Sequence, residues 1–523
     1  MKIRDVFRRP FDLAMVWLLL PFGLLGGGMA ALPLRSWDYW WHIAFGRVIS
    51  ATHEMPLYAH FLYTMPADAP SYVQAWLSQW ALFELHEALG LGGVLIIRNL
   101  FAAAAFTFLG MWAAKRAGSA PLGGILACAG AVFGFYTIAA RTHLLAWPLF
   151  LVVLAIAYAV RRGTAGRRAL VAIPLISVAW TNLHGTFLVP TLVMLAFFAA
   201  ALADRVLPRP DAFGGAAPTG GALGALPWGV AGLASFAGTF ANPRGHEIYL
   251  YLVDLPTNPE NLTTVTEWFP TTPLFPPFFG AFFWFLLVTT LALMWRRRRA
   301  LDWADLFLLL GFSLLAIQHS RGLMLVGLCF PVVAAPYVAP LARFFQPTAA
   351  EGPPSSISQT IALATAVALV LLPFVVQPWG VGDPLPAAVQ AAPTRTEEPL
   401  KGLVLENTPI GPAQILRGRD DLRIFHDHQY PGFLLYWLDD EVPDQLVFVD
   451  NRVELPPDSI WRLYESVSEG RGWREAFARF EINAVVASKD NQAGLIAALR
   501  EAPAWRLAFE NDYHALFLPS EAP

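Results

Sequence analysis

The chain has 523 residues, 56% hydrophobic and only 14% charged, with a net charge of −3 and a mean hydropathy of +0.48. Soluble globular chains carry roughly a quarter charged residues, so this composition excludes a water-soluble protein and makes lipid the solvent for most of the sequence. Two cysteines, Cys128 and Cys329, each inside an apolar stretch, exclude a disulfide or thiolate-metal framework, and no nucleic-acid partner is expected.

The N-terminus carries Lys2, Arg4, Arg8 and Arg9 ahead of the apolar stretch 11–33. That stretch is longer than the apolar region of a cleavable signal, so it reads as a signal anchor entering the membrane from the cytoplasm. Directly after it comes Arg35-Ser36-Trp37-Asp38-Tyr39-Trp40-Trp41-His42. Trp and Tyr favour the headgroup level, which sets this cluster at the bilayer surface and Asp38 in a protected, partly wet cleft; the alternative is an aromatic belt with one interfacial acid. The rest of the first loop, 34–92, has aromatic and apolar residues at helical spacing over 40–48 and 72–89, the pattern of helices lying in the interface.

Apolar stretches follow at 93–114, 120–140, 144–160, 169–182, 185–203, 225–241, 276–295, 303–318, 322–345 and 357–378. With the first they predict about 11 transmembrane helices, 169–182 being short of the roughly 20 residues a span needs. If all cross, Lys115-Arg116, Arg161-Arg162 with Arg167-Arg168, Arg205 with Arg209, and Arg296 to Arg299 all fall on the cytoplasmic side. Dropping 169–182 would move the four-arginine run outside and spoil that agreement. The opposite loops collect the unusual polar residues: Asp38 and His42; Arg141-Thr142-His143; Asn182-Leu183-His184-Gly185; Asn242-Pro243-Arg244-Gly245-His246 with Glu267-Trp268; and Gln318-His319-Ser320-Arg321.

Residues 204–224 are a Pro-, Gly- and Ala-rich cytoplasmic loop, and 379–401 a linker after the membrane domain 1–378. Residues 402–523 read as a soluble extracytoplasmic α/β domain with its own core, with strands over 403–405, 446–449, 484–487 and 515–518 and helices over 460–468, 472–480 and 493–499.

A polar face at a membrane surface points to a lipid-borne substrate. For an isoprenoid-phosphate sugar, the chemistry requires a carboxylate to deprotonate an acceptor hydroxyl and cations to hold the phosphate leaving group. Asp38 fits the first role, and Arg141, Arg244 and Arg321 are candidates for the second. Arg141 and Arg244 have plainer alternatives, a snorkelling residue and a turn residue, whereas Arg321, flanked by two spans with His319 beside it, falls inside a bundle cavity, which favours a functional role. His42, His143, His184 and Glu267 are candidates for substrate contact. His42, His143, His184 and His246 lack a recurring close ligand spacing, so hydrogen bonding is favoured over a metal site; loop packing is favoured likewise for His426-Asp427-His428. A divalent metal is therefore compatible with the sequence but not required by it, and the cofactor is left unknown. No P-loop, Rossmann glycine motif, Ser-His-Asp pattern or CxxC is present.

Ser36-Trp37-Asp38-Tyr39-Trp40-Trp41-His42 with Gly46-Arg47, Trp76-Leu77-Ser78-Gln79, Arg141-Thr142-His143, Trp180-Thr181-Asn182-Leu183-His184-Gly185, Asn242-Pro243-Arg244-Gly245 and Glu267-Trp268 resemble a group of bacterial polytopic proteins placed with the GT-C glycosyltransferases. That superfamily holds protein O-mannosyltransferases, aminoarabinose transferases and oligosaccharyltransferases. Tyr430-Pro431-Gly432-Phe433-Leu434 and Phe448-Val449-Asp450-Asn451-Arg452 resemble two tail segments of the same group, so nearly the whole chain is covered. The resemblance implies a multi-span fold whose first outer loop opens on a catalytic acid, here Asp38, and a polyprenyl-phosphate-linked sugar donor. The group's first loop often reads Asp-x-Asp, whereas Ser36 stands at the first position here, which removes one ligand from any metal site; Ala75 stands where the group often has an acid.

The expectation is thus a GT-C-like, α-helical polytopic protein of a bacterial inner membrane, N-terminus cytoplasmic, C-terminal domain extracytoplasmic. It would move a sugar from a polyprenyl-phosphate donor to a glycan, lipid or protein acceptor, with membrane lipid as surroundings. The alternatives are a carrier or flippase for a lipid-linked glycan, and a structural subunit whose C-terminal domain docks a partner.

Overall fold

Lipid offers no hydrogen-bond partner to a backbone, so the apolar stretches satisfy themselves as helices. The structure is a computed structural model that describes residues 13–58, 61–66, 68–71, 75–137, 142–207, 224–257, 266–345, 356–377, 380–381, 400, 402–438, 445–450, 452 and 455–520. All eleven apolar stretches contain a helix: Leu13–Ala30, Trp76–Ala117, Ala120–Thr137, His143–Arg161, Ala172–Leu183, Val189–Val206, Leu226–Gly238, Phe279–Arg296, Trp303–Gln318, Leu323–Val338 and Ser356–Val375. Among the described residues, 7 helices are long and apolar enough to cross a membrane by length and composition. Trp76–Ala117 joins an interfacial segment to a span through a kink at Gly90, whose φ of 65° is left-handed backbone that glycine adopts without a side-chain clash.

Polar contacts show which helix ends lie together. At one end, Arg116 Nη2 meets Asp305 Oδ2 at 2.9 Å, Arg161 Nε donates to Asp302 Oδ1 at 2.8 Å, and Arg161 Nη1 donates to Asp204 Oδ2 at 3.0 Å. The Tyr337 hydroxyl donates to Asp305 Oδ2 at 3.0 Å, and the Tyr158 hydroxyl also donates to Asp305. These charges are buried, which is tolerable only because each is paired. Arg116 and Arg161 are therefore interior struts and not the solvated loop charges that their place in the sequence implies. Gly224 lies against the Arg205 guanidinium at the same end.

Followed from that end, each helix leads to a polar loop at the other. His143–Arg161 starts at His143, and Trp303–Gln318 ends beside Arg321. The stretch from the 3-10 turn Arg167–Val171 through Ala172–Leu183 ends at His184, and Leu226–Gly238 ends near Asn242. The first span runs opposite to Trp76–Ala117: Arg98 Nη2 donates to Met29 O at 3.2 Å, and Gly124 packs on Trp17 O. Asp38, which follows the first span, is thereby at the same end as His143, His184, Asn242 and Arg321.

The C-terminal unit contains a 4-stranded sheet. Ile424–His426 pairs parallel with Ala484–Ser488, which pairs antiparallel with His514–Pro519, which pairs antiparallel with Trp505–Glu510. Helices Asp458–Ser468, Trp473–Phe480 and Ala493–Arg500 fall where periodicity placed them. Two expected strands do not form: Val404 makes only an isolated bridge to Leu34, and Val447 bridges Leu62 and Ile424. Both runs pair largely outside the sheet, onto the first loop. The structure adds the strands Ile424–His426 and Trp505–Glu510 and the helices Ile410–Leu416 and Pro431–Trp437 to those the periodicity predicts. One apolar core accordingly runs through Tyr39, Trp40, Phe45 and Phe61 of the first loop and Phe433, Tyr436, Val447 and Leu516 of the C-terminal unit.

His426 is fully buried; its Nε2 accepts from the Phe448 N–H at 3.3 Å, and Nδ1 donates to Asp427 O at 2.8 Å. Burial pushes its pKa down to about 4, so the folded state keeps the ring neutral after the unfolded chain has begun to protonate it near 6.5. Stability is then complete above about pH 6.5 and falls as the pH drops towards 4, by about 3 kcal/mol at most. Thermal unfolding of the detergent-solubilised chain at pH 7 and pH 4.5 checks this: His426→Gln should lose less stability over that window than the parent, and an equal loss would contradict it.

Candidate functional site at the polar-loop end

Asp38 is the first residue of the helix Asp38–Thr52, where a carboxylate is favoured by the amino-terminal end of the helix dipole. It is half-buried. Just before it, Leu34 N donates to Leu403 O at 2.7 Å, so the chain leaving the first span is tied at once to the C-terminal unit. The helix behind Asp38 is fixed on two further sides. Gly46 lies on Gln79 O and Phe83, where a Cβ would come within 2.3 Å of the carbonyl. Gly432 meets Trp41 N in the same way, letting the helix Pro431–Trp437 pack against Trp40 with ring centroids of Trp40 and Phe433 5.0 Å apart. Arg47, buried, donates from Nη2 to Tyr436 O at 2.7 Å and lies 4.5 Å over the Tyr436 ring. The Tyr39 hydroxyl is 2.6 Å from His86 Nδ1, and Tyr436 donates to Glu87 Oε1 at 3.2 Å. Tyr436, His86 and Glu87 were missed in the sequence, although an adjacent His-Glu pair in an amphipathic interfacial helix is a usable signal.

His42 is buried, and its Nδ1 accepts from Gln79 Nε2 at 3.2 Å. Neighbouring residues of the Gln79 helix reach the next loop: Trp76 Nε1 donates to Asn182 Oδ1 at 2.7 Å, and Ser78 Oγ donates to Leu183 O at 2.6 Å. Asn182 Nδ2 donates to Ala241 O at 2.8 Å, Asn242 Nδ2 to Thr181 O at 3.0 Å, and the Arg244 N–H to Asn242 Oδ1 at 3.0 Å. The Arg244 guanidinium donates to the carbonyls of Leu57 and Ser71 and, from Nη1, to Glu247 Oε2 at 3.2 Å. His184 Nδ1 accepts from the Thr186 hydroxyl at 2.7 Å, and the His143 and His184 rings are 6.0 Å apart. Two distant loops are thus stitched to the first loop and to each other by side-chain amides, one indole, one hydroxyl and one arginine.

Arg244 is the strut at the centre of this arrangement. Arg244→Ala should release the 57–71 segment at a cost of about 1–3 kcal/mol, because two carbonyls lose a charged donor. Limited proteolysis reads it: cleavage within 57–71 should rise about tenfold or more over the parent, and an unchanged pattern would contradict the strut.

Glu267 and Arg321 form a second group. Arg321 lies 4.5 Å over the Trp268 ring, His319 Nδ1 donates to Trp268 O at 2.9 Å, and Ser320 Oγ donates to Thr266 O at 3.1 Å. Tyr136, near the end of Ala120–Thr137, brings its hydroxyl within 3.4 Å of Ser320 Oγ. Glu267 and Arg321 are both half-buried. Arg141 lies outside the described residues. Among the described residues no group of three or more His, Cys, Asp or Glu could hold a metal ion.

No family model matches the chain, and no curated protein does. Among solved structures, the oligosaccharyltransferase of Archaeoglobus fulgidus, tethered through a disulfide to an acceptor peptide containing the NVT sequon, superposes with a TM-score of 0.54 at 12% identity, over 99% of this chain and 75% of the archaeal one. The two chains share a fold. Two further structures of that enzyme, one in the apo form and one with an inhibitory peptide and a dolichol-phosphate, give TM-scores of 0.44 at 12% and 13% identity. They cover 98% and 97% of this chain and 75% and 76% of theirs. At 12% identity the likeness is one of fold, and it agrees with the expectation of a helical, multi-pass membrane fold.

Proposed function

We propose that the chain is a membrane glycosyltransferase that moves a sugar from a polyprenyl-phosphate-linked donor to an acceptor at the extracytoplasmic face of a bacterial inner membrane. The observation that carries this reading is the shared fold over 99% of the chain, in which a half-buried Asp38 opens the first-loop helix at the end of the bundle that also holds Arg321. Eleven crossings, a cytoplasmic N-terminus and an extracytoplasmic C-terminal unit complete the proposal.

Asp38 accepts the proton of the acceptor hydroxyl as its oxygen attacks the anomeric carbon. The bond from that carbon to the phosphate oxygen breaks, its electron pair leaves with the polyprenyl phosphate, and the anomeric configuration inverts. Arg321 and Arg141 stabilise the charge that develops on the leaving phosphate. His42, His143, His184, Arg244 and Glu267 shape the surrounding cleft. His42 does so through Gln79 and Arg244 through the first loop. The archaeal structure carries an acceptor peptide, which supports an acceptor site on the same fold here. The test is direct: the purified chain, given a polyprenyl-phosphate-linked sugar and a mixed acceptor pool, releases polyprenyl phosphate. Donor binding with no release would instead support the carrier reading.

A further inference from the structure

The helix Phe279–Arg296 ends, at the face opposite the polar loops, in Trp295 and a run of four arginines. The helix does not continue through them. It gives way to the 3-10 turn Arg298–Ala300, where the chain leaves the axis of the span. Arg296, Arg297, Arg298, Arg299 and Ala300 line a single cleft of about 380 Å³. Arg297 Nη1 donates to the Pro336 carbonyl, which anchors the turn to the neighbouring helix, and Arg298 lies 5.6 Å from the ring of Trp295. Trp295 is 73% exposed.

The charge at this cleft is not balanced from within. Among the described residues no carboxylate pairs with any of the four arginines, and no acid lines the cleft. The nearest acids in sequence, Asp302 and Asp305, are committed to Arg161 and Arg116. Retention of positive charge in a cytoplasmic loop accounts for arginines here. It does not account for four of them turned into one cleft beside an exposed indole.

We propose that this turn binds the phosphate of an anionic lipid headgroup in the leaflet opposite the polar-loop site. Guanidinium groups present paired N–H donors that match phosphate oxygens, and an indole at the end of a span sits where headgroup meets acyl chain. The cleft is about 27 Å from the far end of its own helix, so the bound lipid is separate from any donor at Asp38.

The full chain is reconstituted in nanodiscs of phosphatidylcholine with phosphatidylglycerol, and retained lipid is counted by native mass spectrometry after extraction. The parent should retain phosphatidylglycerol over phosphatidylcholine by about tenfold, and R298Q/R299Q should lose that preference while melting at the parent temperature in phosphatidylcholine alone. Excess inorganic phosphate should leave the retained lipid in place. A parent with no headgroup preference, a variant that keeps it, or complete displacement by inorganic phosphate, which would make this a free-anion site, would each overturn the proposal.

Discussion

Asp38→Asn is expected to slow release of polyprenyl phosphate by about 10²- to 10⁴-fold, the usual contribution of a positioned general base, while donor affinity stays near that of the parent. Asn preserves the size of the side chain and can occupy the first turn of Asp38–Thr52, so the helix and its contacts to Gln79 and Phe433 persist. What is lost is the capacity to take up a proton. Single-turnover release, measured beside equilibrium donor binding, separates the two effects. Retained release would remove Asp38 from the chemistry; lost binding with release of the bound fraction unchanged would make it a donor contact.

A second large effect is expected at the far side of the same helix. Asp450 and Arg452 are both buried, and Arg452 Nε donates to Asp450 Oδ1 and Oδ2 at 3.1 and 2.9 Å. Arg452 Nη1 reaches Ser71 Oγ at 2.5 Å, and the guanidinium lies 4.8 Å over the Phe45 ring. Asp450→Ala leaves a buried cation without its carboxylate, a change that costs about 3–5 kcal/mol. Because this pair ties the C-terminal unit to both the 61–71 segment and the helix that begins at Asp38, the loss should appear as a lower melting temperature of the chain together with reduced release activity. Replacing both partners, as Asp450→Leu with Arg452→Met, should recover most of the stability, since an apolar pair avoids the desolvation of the charges. If Asp450→Ala melts like the parent, the pair does not hold the two parts together.

The helices were legible because lipid imposes a simple rule: an apolar stretch must satisfy its own backbone. The interfacial stretch 72–89 and the span 93–114 leave a gap between them, and the kink at Gly90 falls in it, although no local pattern marked Gly90 itself. The loops were legible as a set, since Asn182, Asn242 and Arg244 are costly to place near a bilayer unless they meet one another, and they do. What local pattern did not reveal was long-range pairing. Residues 403–405 and 446–449 have strand composition, yet Val404 pairs with Leu34 and Val447 with Leu62, partners more than three hundred residues away. Likewise the basic residues Arg116 and Arg161 looked like loop charges because charge placement alone says nothing of Asp302 and Asp305, whose carboxylates bury them. Pro431–Trp437 read as a motif and not as a helix; its role emerges only when Gly432 is seen against Trp41.

The central claim is that one hollow at the polar-loop end receives the lipid phosphate between the Asp38 carboxylate and the arginines of distant loops. Cryo-electron microscopy of the full chain with a bound polyprenyl phosphate tests it most directly. The phosphate is expected beside Arg321, with the Asp38 carboxylate facing the same cavity. Phosphate density away from Arg321, with Asp38 turned to bulk solvent, would contradict it.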